Sequence, residues 1–235
     1  NVGLEGSKLS LDARLGENPL YRARYFAPSP LSDALGFGYD LMYLNLDVMT
    51  FDEAGRKEAS LDYNMFSGRT FIRTTFSELF QIAGGLEYHY SRVEENIAPD
   101  LPYTMNDRYG QLNYFGQLTL DTLDRANYPS RGFRLYMEMK RVTNQLGFSI
   151  NSTTESFQSY TMRFEEVLPV SRRVSLIGAL FGGYASAEVL PPDYYYYLGG
   201  ATLMAELPTL FPVYGIPFMK LVGRTALVWQ AGIQY

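Results

Sequence analysis

Residues 111–140 read QLNYFGQLTLDTLDRANYPSRGFRLYMEMK. In the first third, Leu112, Tyr114, Gly116, Leu118 and Leu120 alternate with Gln111, Asn113, Gln117 and Thr119. In the last third, Phe133, Leu135, Met137 and Met139 alternate with Arg134, Glu138 and Lys140. Successive side chains of a strand point to opposite faces, so each part predicts a strand with one apolar and one polar side. Between them, Pro129 presets φ for a turn and Gly132 offers a backbone angle that other residues avoid. The unit reads as two antiparallel strands joined by a turn over 127–132.

The same period recurs on both sides of this unit. Leu9, Leu11, Ala13 and Leu15 alternate with Lys8, Ser10, Asp12 and Arg14; Met42, Leu44, Leu46 and Val48 alternate with Tyr43, Asn45, Asp47 and Met49. Ala59, Leu61, Tyr63 and Met65 face away from Glu58, Ser60, Asp62 and Asn64, and Leu86, Tyr88 and Tyr90 oppose Glu87, His89 and Ser91. Near the end, Leu227, Trp229, Ala231, Ile233 and Tyr235 alternate with Gln230, Gly232 and Gln234. Weaker runs lie at 21–25, 71–76, 157–165 and 174–184. The total is roughly eleven or twelve segments of about 8–12 residues, the length a tilted strand needs to cross hydrocarbon. Turn-rich stretches separate them at 28–30, 52–56, 96–107, 127–132 and 191–193. No linker or amphipathic helix interrupts the pattern, so 1–235 reads as one domain.

Composition decides what such strands face. Of the 235 residues 15% are aromatic, with 20 Tyr, 15 Phe and one Trp, and only 19% are charged. Tyrosine suits a membrane interface, where the ring lies at headgroup depth and the hydroxyl reaches water. A mean hydropathy of −0.15 excludes a bundle of membrane helices, and no apolar run is long enough for one. Net charge is −5, no basic cluster offers to displace counterions, and nucleic acid is not an expected partner. There is no cysteine, hence no disulfide framework, and one His leaves too few ligands for a metal; no cofactor is expected. The polar faces carry charges of both signs and the apolar faces end in Tyr, Phe or Trp. The expected fold is therefore all-β, an antiparallel transmembrane β-barrel with apolar faces on lipid and polar faces in a wet lumen. In hydrocarbon every backbone group needs a partner, which is why such a sheet closes.

The turn carries more than geometry. Asp121, Asp124, Tyr128, Pro129 and Gly132, taken with Ser130, match the pattern D-x-x-D-x-x-x-[FY]-P-[ST]-x-G, which resembles the signature of the bacterial surface antigen superfamily. That superfamily holds the barrels of BamA-type insertases, TamA-type factors and patatin-type (type Vd) autotransporters. Downstream, Tyr194-Tyr-Tyr-Tyr197-Leu198-Gly199-Gly200 resembles the aromatic-x-Gly-Gly that opens the family's long sixth extracellular loop, which folds back into the lumen. The family's Arg-Gly-aromatic loop tip, whose arginine meets an acidic wall residue, is replaced here by Phe211-Pro-Val-Tyr214-Gly215-Ile-Pro217-Phe218-Met219. This departure is similar to the barrels of patatin-like phospholipase proteins of Bacteroidetes-type bacteria. The resemblance spans about 110–235 and implies a barrel of about sixteen strands, of which about twelve are visible. It also implies a location in the bacterial outer membrane, periplasmic or passenger domains before Asn1, and further strands after Tyr235.

The function implied is a translocator and anchor for a patatin-like lipid hydrolase, with no catalytic residue in this chain, since no Gly-x-Ser-x-Gly elbow occurs. An insertase for other barrels is the alternative. A barrel phospholipase is a second one: His89 and Ser91 share a strand face and are similar to the His-x-Ser of outer-membrane phospholipase A. Their Cβ atoms would stand about 6.5–7 Å apart, however, and they share the Glu87 face, which makes lumen lining the better reading. Arg134, Glu138, Lys140, Arg163 and Glu165 are expected to form a charged ladder in the lumen, tuning a pore or docking the infolded loop. Expected partners are outer-membrane lipid and lipopolysaccharide, the barrel assembly machinery during biogenesis, and the protein's own passenger domain.

Overall fold

The computed structural model describes residues 6–51, 57–97, 108–125, 128–143, 156–171, 173–200 and 207–235. The turns expected at 52–56 and across 98–107, and Asn127 of the motif, lie outside these residues. Nine long strands follow in order: β1 (Lys8–Arg14), β2 (Leu20–Ser29), β3 (Ser32–Phe51), β4 (Lys57–Thr74), β5 (Phe80–Ile97), β6 (Arg108–Asp121), β7 (Gly132–Thr143), β8 (Phe157–Pro169) and β9 (Ser175–Ala185). Three short strands, β10 (Tyr196–Leu198), β11 (Leu210–Phe211) and β12 (Leu221–Gly223), precede the last long one, β13 (Thr225–Gln234).

The long strands form one antiparallel sheet of ten, each pairing with its neighbour in sequence, and β13 pairs with β9. Among the described residues there are ten long strands rather than eleven or twelve, and the runs expected separately at 58–65 and 71–76 belong to the single strand β4. The sheet is open: among the described residues its edges, β1 and β13, do not pair with each other. It is also strongly curved. Arg69 on β4 bonds Glu138 on β7 at 3.0 Å across two intervening strands, a span of about 14 Å in a flat sheet.

One side of the sheet is a band of exposed apolar side chains. Tyr39, Leu41 and Tyr43 on β3, Ile72 and Phe66 on β4, Met137 and Met139 on β7, and Leu227, Trp229 and Ile233 on β13 all face outward. Register aligns aromatics along its upper edge. Tyr21 stands opposite Tyr43, Tyr43 opposite Phe66 and Phe66 opposite Tyr90, and farther round Tyr160 stands opposite Tyr184. Such a row is what headgroup-level rings make of adjacent strands.

On two strands the expected faces are reversed. Met42, Leu44 and Leu46 of β3 and Met65 of β4 are buried on the inner side, with Tyr63 beside them. Asn45 and Asn64 face outward and bond each other at 2.7 Å. The physical reason is the segment between β9 and β13, which folds inward and brings an apolar surface against this part of the wall. Inside, apolar side chains find protein; outside, Asn45 and Asn64 stand above the aromatic row.

Candidate functional site

The inner wall and the infolded segment build the site together. The wall encloses a cavity of about 490 Å³ lined from β2 across to β8 and closed above by Asp193, Tyr194 and residues 207–209. Its polar centre is a chain of charges from three strands. Arg69 holds Glu87 at 2.8 Å and Glu138 at 3.0 Å, and Lys140 lies 3.1 Å from Glu87 and 3.3 Å from Glu138. Tyr136 donates to Glu138 at 2.9 Å. Both carboxylates are almost fully buried, which is tolerable only because two cations surround them.

Tyrosines supply most of the docking. A single 3-10 turn, Pro192–Tyr194, leads into extended chain from Tyr195 onward, and alternate rings of Tyr194 to Tyr197 point to the wall and back into the segment. Tyr194 accepts a bond from Asn113 Nδ2 at 2.6 Å and packs edge-on against Phe157, with centroids 5.1 Å apart. Tyr196 donates to the Tyr160 carbonyl at 2.7 Å, meets the Ser159 hydroxyl at 3.0 Å and stacks on Phe211. Its ring covers Gly183, where a Cβ would come within 2.2 Å of it. Tyr195 and Tyr197 turn inward, their hydroxyls bonding the Leu190 N–H and the Pro192 carbonyl. Leu207, Leu210 and Phe211 fill the space behind, and β11 and β12 flank β10 as a small sheet of their own.

One acid ties this segment to the wall. Asp193, buried at the head of the tyrosine run, accepts hydrogen bonds from Ser91 and from Tyr63, and faces His89 Nε2 at 3.1 Å. His89 Nδ1 looks the other way, toward Glu87 at 3.6 Å. His89 and Ser91 therefore share a face, as their spacing predicts, but neither ring nitrogen is aimed at the serine hydroxyl, whose proton goes to Asp193. A histidine flanked by two carboxylates is not placed to take a proton from that serine.

The remaining residues singled out from sequence fall into three places. Arg134 bonds Asp121 at 2.8 Å and lies 4.0 Å from Glu165, low on the wall; Glu138 and Lys140 belong to the buried centre; Arg163 donates to the Leu207 carbonyl at 2.9 Å. Register sets Arg134 opposite Glu165 and Arg163 opposite Tyr136, and Glu138 and Glu165 both act electrostatically on Arg163. Gly199 and Gly200 sit at the end of β10 with φ of +131° and +81°. At Gly199 a Cβ would lie 1.9 Å from the Pro217 carbonyl oxygen, so both angle and space demand glycine there. The segment docks well before this point, from Leu190 onward, and not only after Tyr197.

In the β6–β7 turn Asp121, Asp124 and Gly132 each have a local task. Asp124 accepts from the Ser130 N–H at 2.8 Å and its hydroxyl at 2.6 Å, and these bonds hold the carboxyl near a pKa of about 2. Asp121 accepts from the Leu123 N–H and from Arg134, tying the turn to the wall. Gly132 has φ +104° with the Thr122 carbonyl 2.3 Å from where a Cβ would be. Tyr128 is exposed with φ +53°.

Asp193, Tyr194, Tyr196, Asn113 and Tyr63 were not among the site residues expected from sequence. Only the Pro-Pro-Asp-Tyr run at 191–194 marks the spot, as a turn followed by aromatics.

The family model described as the OMP85 superfamily matches residues 4–235. Among solved structures the chain is similar to BamA from Haemophilus ducreyi lacking POTRA domains 1–3, with a TM-score of 0.61 at 16% identity. That match covers 83% of this chain and 39% of the other, so the chain spans well under half of that relative's length. No curated protein matches the chain.

Proposed function

Because the chain belongs to the OMP85 superfamily and is a bacterial outer-membrane protein of BamA-like fold, we propose that it works as a translocator and anchor barrel for a patatin-like lipid hydrolase, its passage closed by the segment docked through Asp193. The observation that carries this reading is the polarity of the dock. The segment brings an acid to a wall that offers His89, Ser91 and Tyr63. An insertase-type dock, as the family resemblance describes it, brings an arginine to an acidic wall. Here the docking charge is an acid at 193, and the 211–219 stretch that stands in place of the Arg-Gly tip carries no arginine. Leu190, the tyrosines of 194–197, Leu207, Leu210 and Phe211 of the segment are buried within the wall's concavity, which suits a passage that idles while a fused domain is held at the membrane.

Fractionation of cells making the full gene product tests the anchor. With the barrel intact, lipid-hydrolysing activity should sediment with the outer membrane; with residues 6–235 deleted it should move to the soluble fraction. Activity that stays soluble with the barrel present, or stays on the membrane without it, overturns the reading. The likeness of fold to BamA favours one other role, insertion of further barrel proteins. That role requires that liposomes carrying the protein speed the folding of an added outer-membrane barrel, which the anchor reading says they will not.

A further inference from the structure

Register stacks the outward side chains at the upper edge of the lipid belt into layers of different chemistry. Two residues above the aromatic row of Tyr43, Phe66 and Tyr90 come Asn45, Asn64, Arg92 and Arg108, which stand opposite one another across β3 to β6. Two residues higher again come Asp47, Asp62 and Glu94. Asn64 Oδ1 accepts from Asn45 Nδ2 at 2.7 Å and from the Tyr43 hydroxyl at 3.1 Å, which ties the middle layer to the rings. Arg92 and Arg108 are exposed and directly opposed, and like charges so placed repel each other. Glu94 pairs with Arg92, so one guanidinium of the two is answered from the wall. Below the rings the surface is hollow. Ala23 stands between Leu11 and Leu41 in register, and these three, with Tyr21, Tyr43 and Phe66, line an open groove of about 410 Å³.

We propose that this outer face seats one molecule of a phosphorylated glycolipid of the lipopolysaccharide type, with an acyl chain in the groove over Ala23 and a phosphate between Arg92 and Arg108. The groove is continuous with the lipid face, so an acyl chain is what reaches it. The planar fork of arginine matches two phosphate oxygens, and basic side chains beside a hydrocarbon belt recognise anionic headgroups. The layer of carboxylates above repels a phosphate and confines it to the level of the donors. That donor layer crosses three strand spacings, about 14 Å, which is more than one phosphate ester bridges. A phosphorylated disaccharide carrying several chains spans both the donors and the groove, which favours a glycolipid over a glycerophospholipid. The seat lies outside the sheet, on the side of the belt where the segment between β9 and β13 docks. It depends on the outer-membrane location of the chain and not on which domain the barrel carries.

Native mass spectrometry of the full gene product released from detergent counts bound lipid directly. Deep-rough lipopolysaccharide added as the probe should bind saturably as a single copy per chain. Removing its phosphates, combining R92Q with R108Q, or introducing A23W should each weaken binding by about tenfold or more. A23W fills the groove and removes no cation, so it tests the acyl seat apart from the charge. R173Q takes an exposed arginine from the turn between β8 and β9, at the opposite edge of the belt, and should leave binding unchanged. Phosphatidylglycerol should bind about tenfold more weakly than lipopolysaccharide. Uptake that does not saturate, equal or tighter binding of phosphatidylglycerol, a loss in R173Q as large as in the double variant, or affinity unchanged in either the double variant or A23W overturns the proposal.

Discussion

Asp193 concentrates the contact between segment and wall in one carboxylate. Replacing it with Ala would remove the acceptor that the Ser91 and Tyr63 hydroxyls share and the charge that faces His89 Nε2, inside a site from which water is largely excluded. Breaking a buried charged contact of this kind costs about 3–5 kcal/mol, more than a local docking equilibrium is built to withstand. Single-channel recording in planar bilayers should therefore show the parent barrel closed most of the time, and D193A with larger, flickering openings. D193N, whose amide oxygen can still accept from Ser91 or Tyr63, should lie between them. Identical traces from parent and D193A would mean that the tyrosine packing alone holds the segment. Sequence could not disclose this acid. Its hydrogen-bond partners are 102 and 130 residues away, and in a Pro-Pro-Asp context it reads as one more polar turn residue. His89, by contrast, announced itself by being the single histidine, and Gly199 and Gly200 by a backbone demand that is local. Residues whose role is set by their own φ are legible one at a time; those set by a distant partner are not.

At the scale of the strand, length and polarity together place the membrane. β3 has 20 residues and β4 and β5 have 18 each, about twice what a tilted strand needs to cross the hydrocarbon layer. On β3 the outward side chains are apolar through Leu41 and Tyr43 and then become Asn45 and Asp47; on β4 the change falls between Phe66 and Asn64. Both transitions lie at the aromatic row, so the upper parts of these strands stand clear of lipid. Cysteines placed at 45 and 64 should react with a membrane-impermeant maleimide added to whole cells, while those at 41, 66 and 72 should be protected. Equal labelling of 41 and 45 would remove the boundary. The same geometry explains where reading faces from sequence failed. Alternation tells which residues share a side, and Glu87 on β5, Glu138 and Lys140 on β7 and Arg163 on β8 line the inner cavity. For Met42, Leu44, Leu46 and Met65 the rule that apolar means lipid breaks down, because at that height the inside is filled by Tyr194–Tyr197, Leu210 and Phe211. A protein plug and a bilayer are both apolar solvents, and a strand pattern does not distinguish them.

For the molecule as a whole, the decisive proposition is that one surface of the curved sheet meets lipid tails over a belt of common height. Trp229, the chain's single tryptophan, is a native probe of it. The ring is 74% exposed between Leu227 and Ile233, which are equally exposed, and would be solvated in a water-soluble protein. Register fixes its depth: Trp229 lies opposite Leu180 on β9, four residues along that strand from Tyr184 at the aromatic row. Four residues correspond to about 13 Å of strand, or about 9 Å of depth for a strand tilted near 45°. That takes the indole well below the headgroups toward the bilayer centre. In liposomes its emission should be shifted to the blue and insensitive to iodide. Lipids brominated near the middle of the acyl chain should quench it more than lipids brominated close to the glycerol. Quenching that is strongest near the glycerol would raise the belt by most of a leaflet and put the β3 and β4 boundary in the wrong place. Quenching by iodide alone would place this surface in water, and with it would go the assignment of an outer lipid face from which the inner site is defined.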